Sequence, residues 1–126
     1  MKQERNKKDL RERLLNFSVD VIRFLATLPD KREYVVFRYQ LSKSGTAMGA
    51  NYEESQAAVS KKDFQNRIAI CLKEATESNY WLRVIHRLGI SDTIECTRLI
   101  GESSEFKNIF ASIIISSRSS RIKQSV

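Results

Sequence analysis

The residues best suited to acid–base or metal chemistry are Glu54, Glu74, Glu77 and His86. A di-iron site in a helix bundle takes one glutamate from each of two helices and a Glu-x-x-His pair from each of the other two. Here Glu74 and Glu77 form Glu-x-x-Glu, and His86 is the only histidine in the chain. We therefore expect no metal site and no other cofactor.

Nucleophilic and phosphate-binding chemistry find equally little support. No serine or cysteine stands in a recognisable arrangement with His86, so an acid or base role has no partner. The segment from Gly45 to Gly49 lacks the Gly-Lys-Ser/Thr ending and the preceding strand of a phosphate-binding P-loop. Its small side chains favour close approach of a neighbouring helix instead. The sequence predicts that the protein is not an enzyme.

Basic residues are the remaining candidates for a binding site. The chain of 126 residues has a net charge of +7, and residues 1–13 and 118–123 carry six of these excess charges. Clusters of lysine and arginine are typical of phosphate binding, which weakens steeply with salt. No aromatic residue lies among the terminal basic residues, so base stacking is not predicted. The plainer alternative is a soluble helix end with basic tails.

Apolar residues recur with the 4-3 spacing of amphipathic helices in four successive segments. Pro29 ends the first segment, Ser60 and Asp63 resemble a capping box before the third, and Gly89 ends the third. We predict one domain of residues 1–126, with basic tails at both ends and helices at about residues 8–28, 30–58, 61–88 and 92–118.

The location of the protein follows from its apolar runs and its cysteines. The longest purely apolar run, residues 68–72, is far too short to span a bilayer. Cys71 and Cys96 have no Cys-x-x-Cys spacing, so we interpret both as reduced core thiols. We expect a cytoplasmic protein without membrane contact.

Four helices with short connections predict an all-α fold, an antiparallel up-down-up-down four-helix bundle. This topology brings the amino terminus, the turn at Lys61 and the carboxyl terminus to one end. We call the basic residues expected there the basic pole: Lys7, Lys8, Arg11, Lys61, Lys62, Arg118, Arg121 and Lys123.

A second motif lies between Phe37 and Leu82. It consists of Gln40, Leu41, Asn51, Glu54, Asp63 and Phe64, followed by Lys73, Glu74, Ala75, Glu77, Tyr80, Trp81 and Leu82. This stretch resembles a bacterial four-helix-bundle family first noted as open reading frames in 23S rRNA intervening sequences. The family pattern runs Q-L-x-x-S-x-x-S/A-I/M-x-x-N-x-x-E, then D-F, then K-E-A-x-E-x-x-Y/W-W-L. The first and fourth helices match the family only as amphipathic helices and carry none of the pattern's residues.

The resemblance implies a four-helix bundle that assembles as a ring-shaped homopentamer, with no established enzymatic activity. The chain is also similar to the accessory variability proteins of diversity-generating retroelements. Those proteins are basic pentameric bundles that associate with a reverse transcriptase and nucleic acid. The partners that this implies are further copies of the chain, RNA or DNA, and a reverse transcriptase or another protein.

The polar residues of the motif border the apolar stripes of the second and third helices. A buried polar network costs stability unless it is satisfied, and its best-attested use is to fix pairing and oligomeric state. We therefore expect a structural or subunit-interface network formed by Arg38, Gln40, Asn51, Glu54, Glu74, Glu77 and Trp81.

Two functions remain open. In the first, an oligomeric bundle binds nucleic acid without sequence specificity through the basic pole. In the second, the bundle is an adaptor or scaffold for a protein partner, for example a reverse transcriptase, and has no direct role in nucleic-acid binding.

Overall fold

The structure, a computed structural model, describes the backbone of residues 2–125 and the side chains of residues 9–118. This part of the chain forms four α-helices, one short 3-10 turn and no strand. The helices are α1 (Lys2–Ala26), α2 (Val35–Gln56), α3 (Lys61–Leu88) and α4 (Thr93–Ser125). The predicted all-α class is confirmed.

The ends of α1, α2 and α4 differ from the predicted ones, whereas those of α3 agree. Helix α1 already ends at Ala26, and α2 begins at Val35 instead of near residue 30. The later start arises because Lys31 is extended, with φ −121° and ψ 146°, and the 3-10 turn Arg32–Tyr34 precedes the helix. At the chain ends, the segments predicted as tails continue α1 and α4.

Local capping fixes α3 at the predicted residues. The backbone N–H of Asp63 donates to Ser60 Oγ at 3.0 Å, and the Val59 N–H donates to Asp63 Oδ2 at 3.3 Å. The first bond satisfies an amide that the first helical turn leaves unpaired, and the second satisfies the amide of the residue before the N-cap. At the other end Gly89 has φ 65°, a left-handed conformation that glycine adopts without steric cost.

Side-chain contacts show that consecutive helices run antiparallel. Val21 lies against Gly45 while Leu14, earlier in α1, lies against Gly49, later in α2. Ser44 bonds to Ser78, whereas Glu54 pairs with Arg67. Cys96 bonds to the Leu82 carbonyl, whereas Ser117 bonds to Gln65. In each pair of helices, residues later in one helix contact residues earlier in the next. Consecutive helices are therefore antiparallel, and together they form an up-down-up-down bundle.

The predicted apolar stripes form the core. The apolar residues that recur with the 4-3 spacing in the first segment are all buried, namely Leu10, Leu14, Phe17, Val21, Phe24 and Leu28. The corresponding residues of α2, α3 and α4 are buried along most of each helix. The core also contains polar residues, namely Ser44, Ser55, Ser78, Asn79 and Ser103. Every buried side-chain nitrogen or oxygen among the described residues has a hydrogen-bond partner. The bundle therefore accommodates these polar groups without the cost of unsatisfied hydrogen bonds.

Helices α1 and α4 meet less closely than the other neighbouring pairs. The Phe17 and Phe106 rings pack edge to face with centroids 5.4 Å apart, and the Arg13 guanidinium lies 5.1 Å from the Phe106 centroid. Arg13 also pairs with Glu102 at 2.5 Å. Beside these contacts a groove of about 480 Å³ opens to solvent. None of the helices, over the residues described, is both long and apolar enough to cross a membrane.

Candidate functional site

The antiparallel bundle brings the start of α1, the α2–α3 turn and the end of α4 to one end. Arg11 Nη2 of α1 pairs with Glu53 Oε2, close to the end of α2, at 2.6 Å. Gln65 Nε2, in the second turn of α3, donates to Ser117 Oγ of α4 at 3.0 Å. Four basic-pole residues with described side chains lie here, namely Arg11, Lys61, Lys62 and Arg118. The side chains of Lys7, Lys8, Arg121 and Lys123 lie outside the described residues.

Ion pairs at this end engage several of its acidic groups. The hydrogen bond from Arg11 lowers the pKa of Glu53, and the same bond raises the pKa of Arg11. Arg67 Nη1 lies 2.6 Å from Glu54 Oε2, and its Nε lies 3.8 Å from Asp63 Oδ1. The carboxylates of the α2–α3 corner are therefore paired with arginines of the bundle.

The excess positive charge of the basic pole lies at the outer turns of α1 and α4. Lys62 and Arg118 are exposed and have no ion-pair partner among the described side chains. The same holds for two acidic residues at this end, Asp9 and Glu12. The larger contribution comes from the sequence of the terminal turns. Residues 2–8 have a net charge of +3, and residues 119–125 have a net charge of +2.

The predicted polar network is divided into separate contacts. Asn51 and Glu54 both meet Arg67, which donates to Asn51 Oδ1 at 3.5 Å. Asn51 Nδ2 also donates to the Ala47 carbonyl at 2.9 Å. Arg67 was not among the predicted residues. Its spacing of four from Asp63, which suits an ion pair on a helix surface, was the signal available in the sequence.

The carboxylates of α3 lie in a different part of the same face. Trp81 Nε1 donates to Glu77 Oε1 at 3.4 Å, and the Trp81 and Phe37 rings are 6.1 Å apart. Burial raises the pKa of Glu74, and the negative charge of Glu77 adds to this shift, whereas Lys73 opposes it. Glu74 and Glu77 thus form a half-buried acidic pair.

Arg38 does not join these carboxylates, so this part of the predicted network is wrong. Its Nη2 donates to the Leu28 carbonyl at 3.1 Å and to the Pro29 carbonyl at 2.7 Å. Both carbonyls belong to the connection that follows α1, which ends at Ala26, and the arginine supplies them with a hydrogen-bond partner. Gln40 makes no hydrogen bond to a described residue.

A further polar centre, absent from the predicted set, surrounds Asn79. Asn79 Nδ2 lies 3.0 Å from Ser103 Oγ and 3.3 Å from the Ile100 carbonyl, and Asn79 Oδ1 accepts from Arg83 Nε at 2.9 Å. These bonds join α3 to α4. The spacing of four from Ala75 places Asn79 beside the core stripe, which was the available signal.

The cysteines of the bundle have the properties of core residues. Cys71 and Cys96 are buried and unbonded to each other. Burial raises the pKa of Cys71 to about 12 and also raises the pKa of Cys96. The described residues contain no group of three potential metal-ligating side chains.

Comparisons with known proteins agree with the motif between Phe37 and Leu82. A family model described as 23S rRNA-intervening sequence protein matches residues 7–112. A solved structure of a protein with unknown function from the S23 ribosomal protein family, from Bacteroides thetaiotaomicron, is 32% identical to this chain with a TM-score of 0.76. The match covers 82% of this chain and 96% of that chain. No curated protein in the comparison matches. The chain belongs to the 23S rRNA-intervening sequence protein family.

Proposed function

We propose that this protein is a non-enzymatic cytoplasmic bundle that binds nucleic acid without sequence specificity through its basic pole. The observation that carries the proposal is the convergence of both terminal helices and the α2–α3 turn at one end. This geometry gathers basic segments that are distant in the sequence. Contacts between lysine or arginine and phosphates position a nucleic acid without reading its bases.

The ion pairs of the bundle support this role. Glu53 is paired with Arg11, while Glu54 and Asp63 are paired with Arg67. The positive terminal turns therefore face a corner whose carboxylates are largely neutralised. An approaching phosphate therefore meets the charge of the terminal turns with little repulsion from the α2–α3 corner, and the remaining exposed carboxylates among the described residues at this end are those of Asp9 and Glu12.

Assembly would strengthen weak phosphate contacts. We propose the ring-shaped homopentamer that the family resemblance implies. Five copies with a net charge of +7 each would carry +35. In such a ring each further contact forms at a high effective concentration, so modest individual contacts become collectively strong.

The test measures binding of fluorescently labelled RNA and duplex DNA by anisotropy across a salt series. One variant replaces Lys7, Lys8, Arg121 and Lys123 by alanine. A control variant replaces by alanine four basic residues near the opposite end of the bundle, namely Arg23, Lys31, Arg32 and Arg87. For duplex DNA, each lost phosphate contact should lower the slope of log K against log salt by about 0.9.

The expected result is a large loss of affinity and slope for the basic-pole variant and a small loss for the control. Equal losses would mean that net charge alone attracts the nucleic acid. Binding that depends neither on salt nor on these residues would contradict the proposal.

The second candidate is an adaptor that binds a protein partner such as a reverse transcriptase. The observation that favours it is the exposed apolar surface of the helices, including Val36, Tyr39 and Tyr80. Contiguous exposed apolar surface is typical of protein interfaces. This candidate predicts that substitutions on that surface, and not those at the basic pole, abolish capture of the protein partner.

A further inference from the structure

The groove between α1 and α4 is open to solvent and has a volume of about 480 Å³. Three arginines line it, namely Arg13 and Arg23 from α1 and Arg98 from α4. The buried Phe17 also belongs to its lining. Spaces of this volume are typical of small-molecule sites and are larger than a single inorganic ion needs. The groove can therefore hold an organic ligand of moderate size.

Two ion pairs between α1 and α4 fix charged side chains of the groove. Arg13 Nη2 lies 2.5 Å from Glu102 Oε1, and Arg98 Nη2 lies 2.9 Å from Asp20 Oδ2. Glu95, in the first turn of α4, also accepts from Arg98 Nε at 2.6 Å. Both guanidiniums are therefore held in place before a ligand arrives. Such preorganisation reduces the ordering cost of binding.

Arg23 supplies a positive charge that the carboxylates of the groove do not neutralise. The lining residues carry three positive and two negative charges. Both oxygens of Glu102 accept from Arg13, and Glu105 Oε2 lies 3.5 Å from the same guanidinium. Arg23 is exposed and has no hydrogen-bond or ion-pair partner among the described residues. Its whole guanidinium is available to a ligand.

Most of the unused hydrogen-bonding groups in the groove are donors. Besides Arg23, the Nη1 atoms of Arg13 and Arg98 make no hydrogen bond to a described residue. A guanidinium presents its N–H groups in a planar fork that matches the oxygens of a phosphate. These donors therefore favour an oxyanion, with Arg23 as its anchor.

Two groups on the same face of α1 can bind an uncharged, hydroxylated part of the ligand. Asn16, Asp20 and Arg23 are spaced by four and three residues, which places them on one face. The Asn16 amide and Asp20 Oδ1 have no hydrogen-bond partner among the described residues. A carboxylate oxygen accepts from a hydroxyl, and an amide both accepts and donates. An apolar group here would leave the Asp20 oxygen unpaired, which costs binding energy.

We propose that the groove between α1 and α4 binds a small sugar phosphate, with the phosphate on Arg23 and Arg98 and the hydroxyls on Asp20 and Asn16. The site extends towards the end of α1, away from the basic pole, and does not rest on the proposed nucleic-acid binding. The phosphodiesters of a duplex carry one charge each within a continuous backbone, so we do not expect them to enter the groove. A bound sugar phosphate would bridge two helices that pack less closely than the other neighbouring pairs.

The test is isothermal titration calorimetry with ribose 5-phosphate at constant ionic strength. Arg23→Gln removes the unpaired guanidinium and should raise the dissociation constant about tenfold or more. Arg23→Lys keeps the charge without the fork, so its affinity should lie between those of Arg23→Gln and the wild type. The matched control is Arg32→Gln, which removes an exposed arginine outside the groove and should bind like the wild type. Circular dichroism establishes that each variant keeps its helices.

Two further ligands separate the two parts of the site. Inorganic phosphate should bind more weakly than ribose 5-phosphate but should still depend on Arg23. Ribose alone, which lacks the charged group, should give no heat of binding. Asn16→Ala should weaken the binding of ribose 5-phosphate more than that of inorganic phosphate, because only the sugar offers hydroxyls to this position.

A loss of affinity in the Arg23 variants, with normal binding by Arg32→Gln, would support the site. Equal losses in Arg23→Gln and Arg32→Gln would overturn it, because they would mean that net charge alone attracts the ligand. A wild-type protein that gives no heat with ribose 5-phosphate, or that binds inorganic phosphate equally tightly, would also overturn it. The titration is separate from the anisotropy assay of nucleic-acid binding, so either proposal can fail without the other.

Discussion

Val21 and Gly45 are in close contact where α1 crosses α2. A Cβ atom on Gly45 would lie 3.0 Å from Val21 Cγ1 and 3.3 Å from Cγ2. Val21 is fully buried, and its β-branched side chain has few alternative rotamers. One turn later, a Cβ atom on Gly49 would lie 3.5 Å from Leu14 Cβ, which is an ordinary van der Waals distance. The two glycines therefore differ in how much space α1 leaves them.

The variants Gly45→Ala and Gly49→Ala should change stability in opposite directions. In both variants, the higher helix propensity of alanine should raise the free energy of unfolding by up to about 1 kcal/mol. At Gly45 overpacking against Val21 costs roughly 1–3 kcal/mol and outweighs this gain. We expect the free energy of unfolding, measured with denaturant, to fall by about 1 kcal/mol for Gly45→Ala and to rise for Gly49→Ala. Equal effects would show that α2 moves away from α1 at no cost.

The Ser44–Ser78 pair should show coupled energetics. Each serine supplies a hydroxyl to a buried hydrogen bond of 2.9 Å between α2 and α3. Ser44→Ala or Ser78→Ala removes one partner, and each should lower the free energy of unfolding by about 1–2 kcal/mol. The double variant removes both hydroxyls, so its loss should be smaller than the two single losses combined.

The control for this cycle is Ser112→Ala on the exposed surface of α4. It should change the free energy of unfolding by less than about 0.5 kcal/mol. Additive effects of Ser44→Ala and Ser78→Ala, by contrast, would mean that the two hydroxyls stabilise the bundle independently.

The features predicted correctly from the sequence are those with a local cause. Helix α3 begins and ends at the predicted residues because Ser60 caps its start and Gly89 adopts a positive φ at its end. Serine is a preferred N-cap residue and glycine a preferred residue after a helix end, so the sequence alone indicates both positions. The residues of α1 that face the core, such as Leu14 and Val21, follow from periodicity alone. Periodicity identifies a buried face without reference to the rest of the chain.

The features that the sequence did not predict depend on partners far along the chain. Asn79 is satisfied by residues 21 to 25 positions away, and Arg11 pairs with Glu53, 42 positions away. Helical spacing gives the direction of a side chain but not which helix it meets. The bonds of Arg38 to the Leu28 and Pro29 carbonyls were missed for a different reason, because periodicity does not specify how the connection after α1 folds.

Glu74 and Glu95 should affect the pH dependence of stability with opposite signs. Burial raises the pKa of Glu74, so the folded state binds its proton more tightly than the unfolded state. Its ionised form therefore destabilises the fold above the ordinary glutamate range, and this penalty disappears as the pH falls. The hydrogen bond from Arg98 lowers the pKa of Glu95, so Glu95 stabilises the fold at neutral pH and loses this effect in acid.

Urea unfolding of Glu74→Gln and Glu95→Gln between about pH 7 and pH 3 checks both signs. At neutral pH, Glu74→Gln should be more stable than the wild type. Glu95→Gln should be less stable by roughly 0.2–1 kcal/mol, as expected for a largely exposed ion pair. Both differences should shrink towards the acid limit. A Glu74→Gln variant that is destabilised at neutral pH would indicate that the carboxylate has a stabilising partner.

The two cysteines should be unreactive in the folded protein. Cys71 Sγ contacts the Met48 carbonyl at 3.5 Å, and Cys96 Sγ contacts the Leu82 carbonyl at 3.4 Å. Because burial raises the pKa of Cys71 to about 12, almost no thiolate is present at neutral pH. A coloured disulfide reagent should detect two thiols per chain after unfolding and neither thiol rapidly before it.

The single variants Cys71→Ala and Cys96→Ala each leave one thiol, so the rate at which the reagent modifies each cysteine can be measured separately. Cys96 lies in the first turn of α4, which begins at Thr93, whereas Cys71 lies in the middle of α3. Helix ends open locally at a lower free energy than helix centres, so Cys96 should react faster than Cys71. Modification of Cys71 should require opening of the whole bundle and should slow in proportion to any increase in global stability. Rapid reaction of Cys71 in the folded protein would show that α2 and α3 separate without global unfolding.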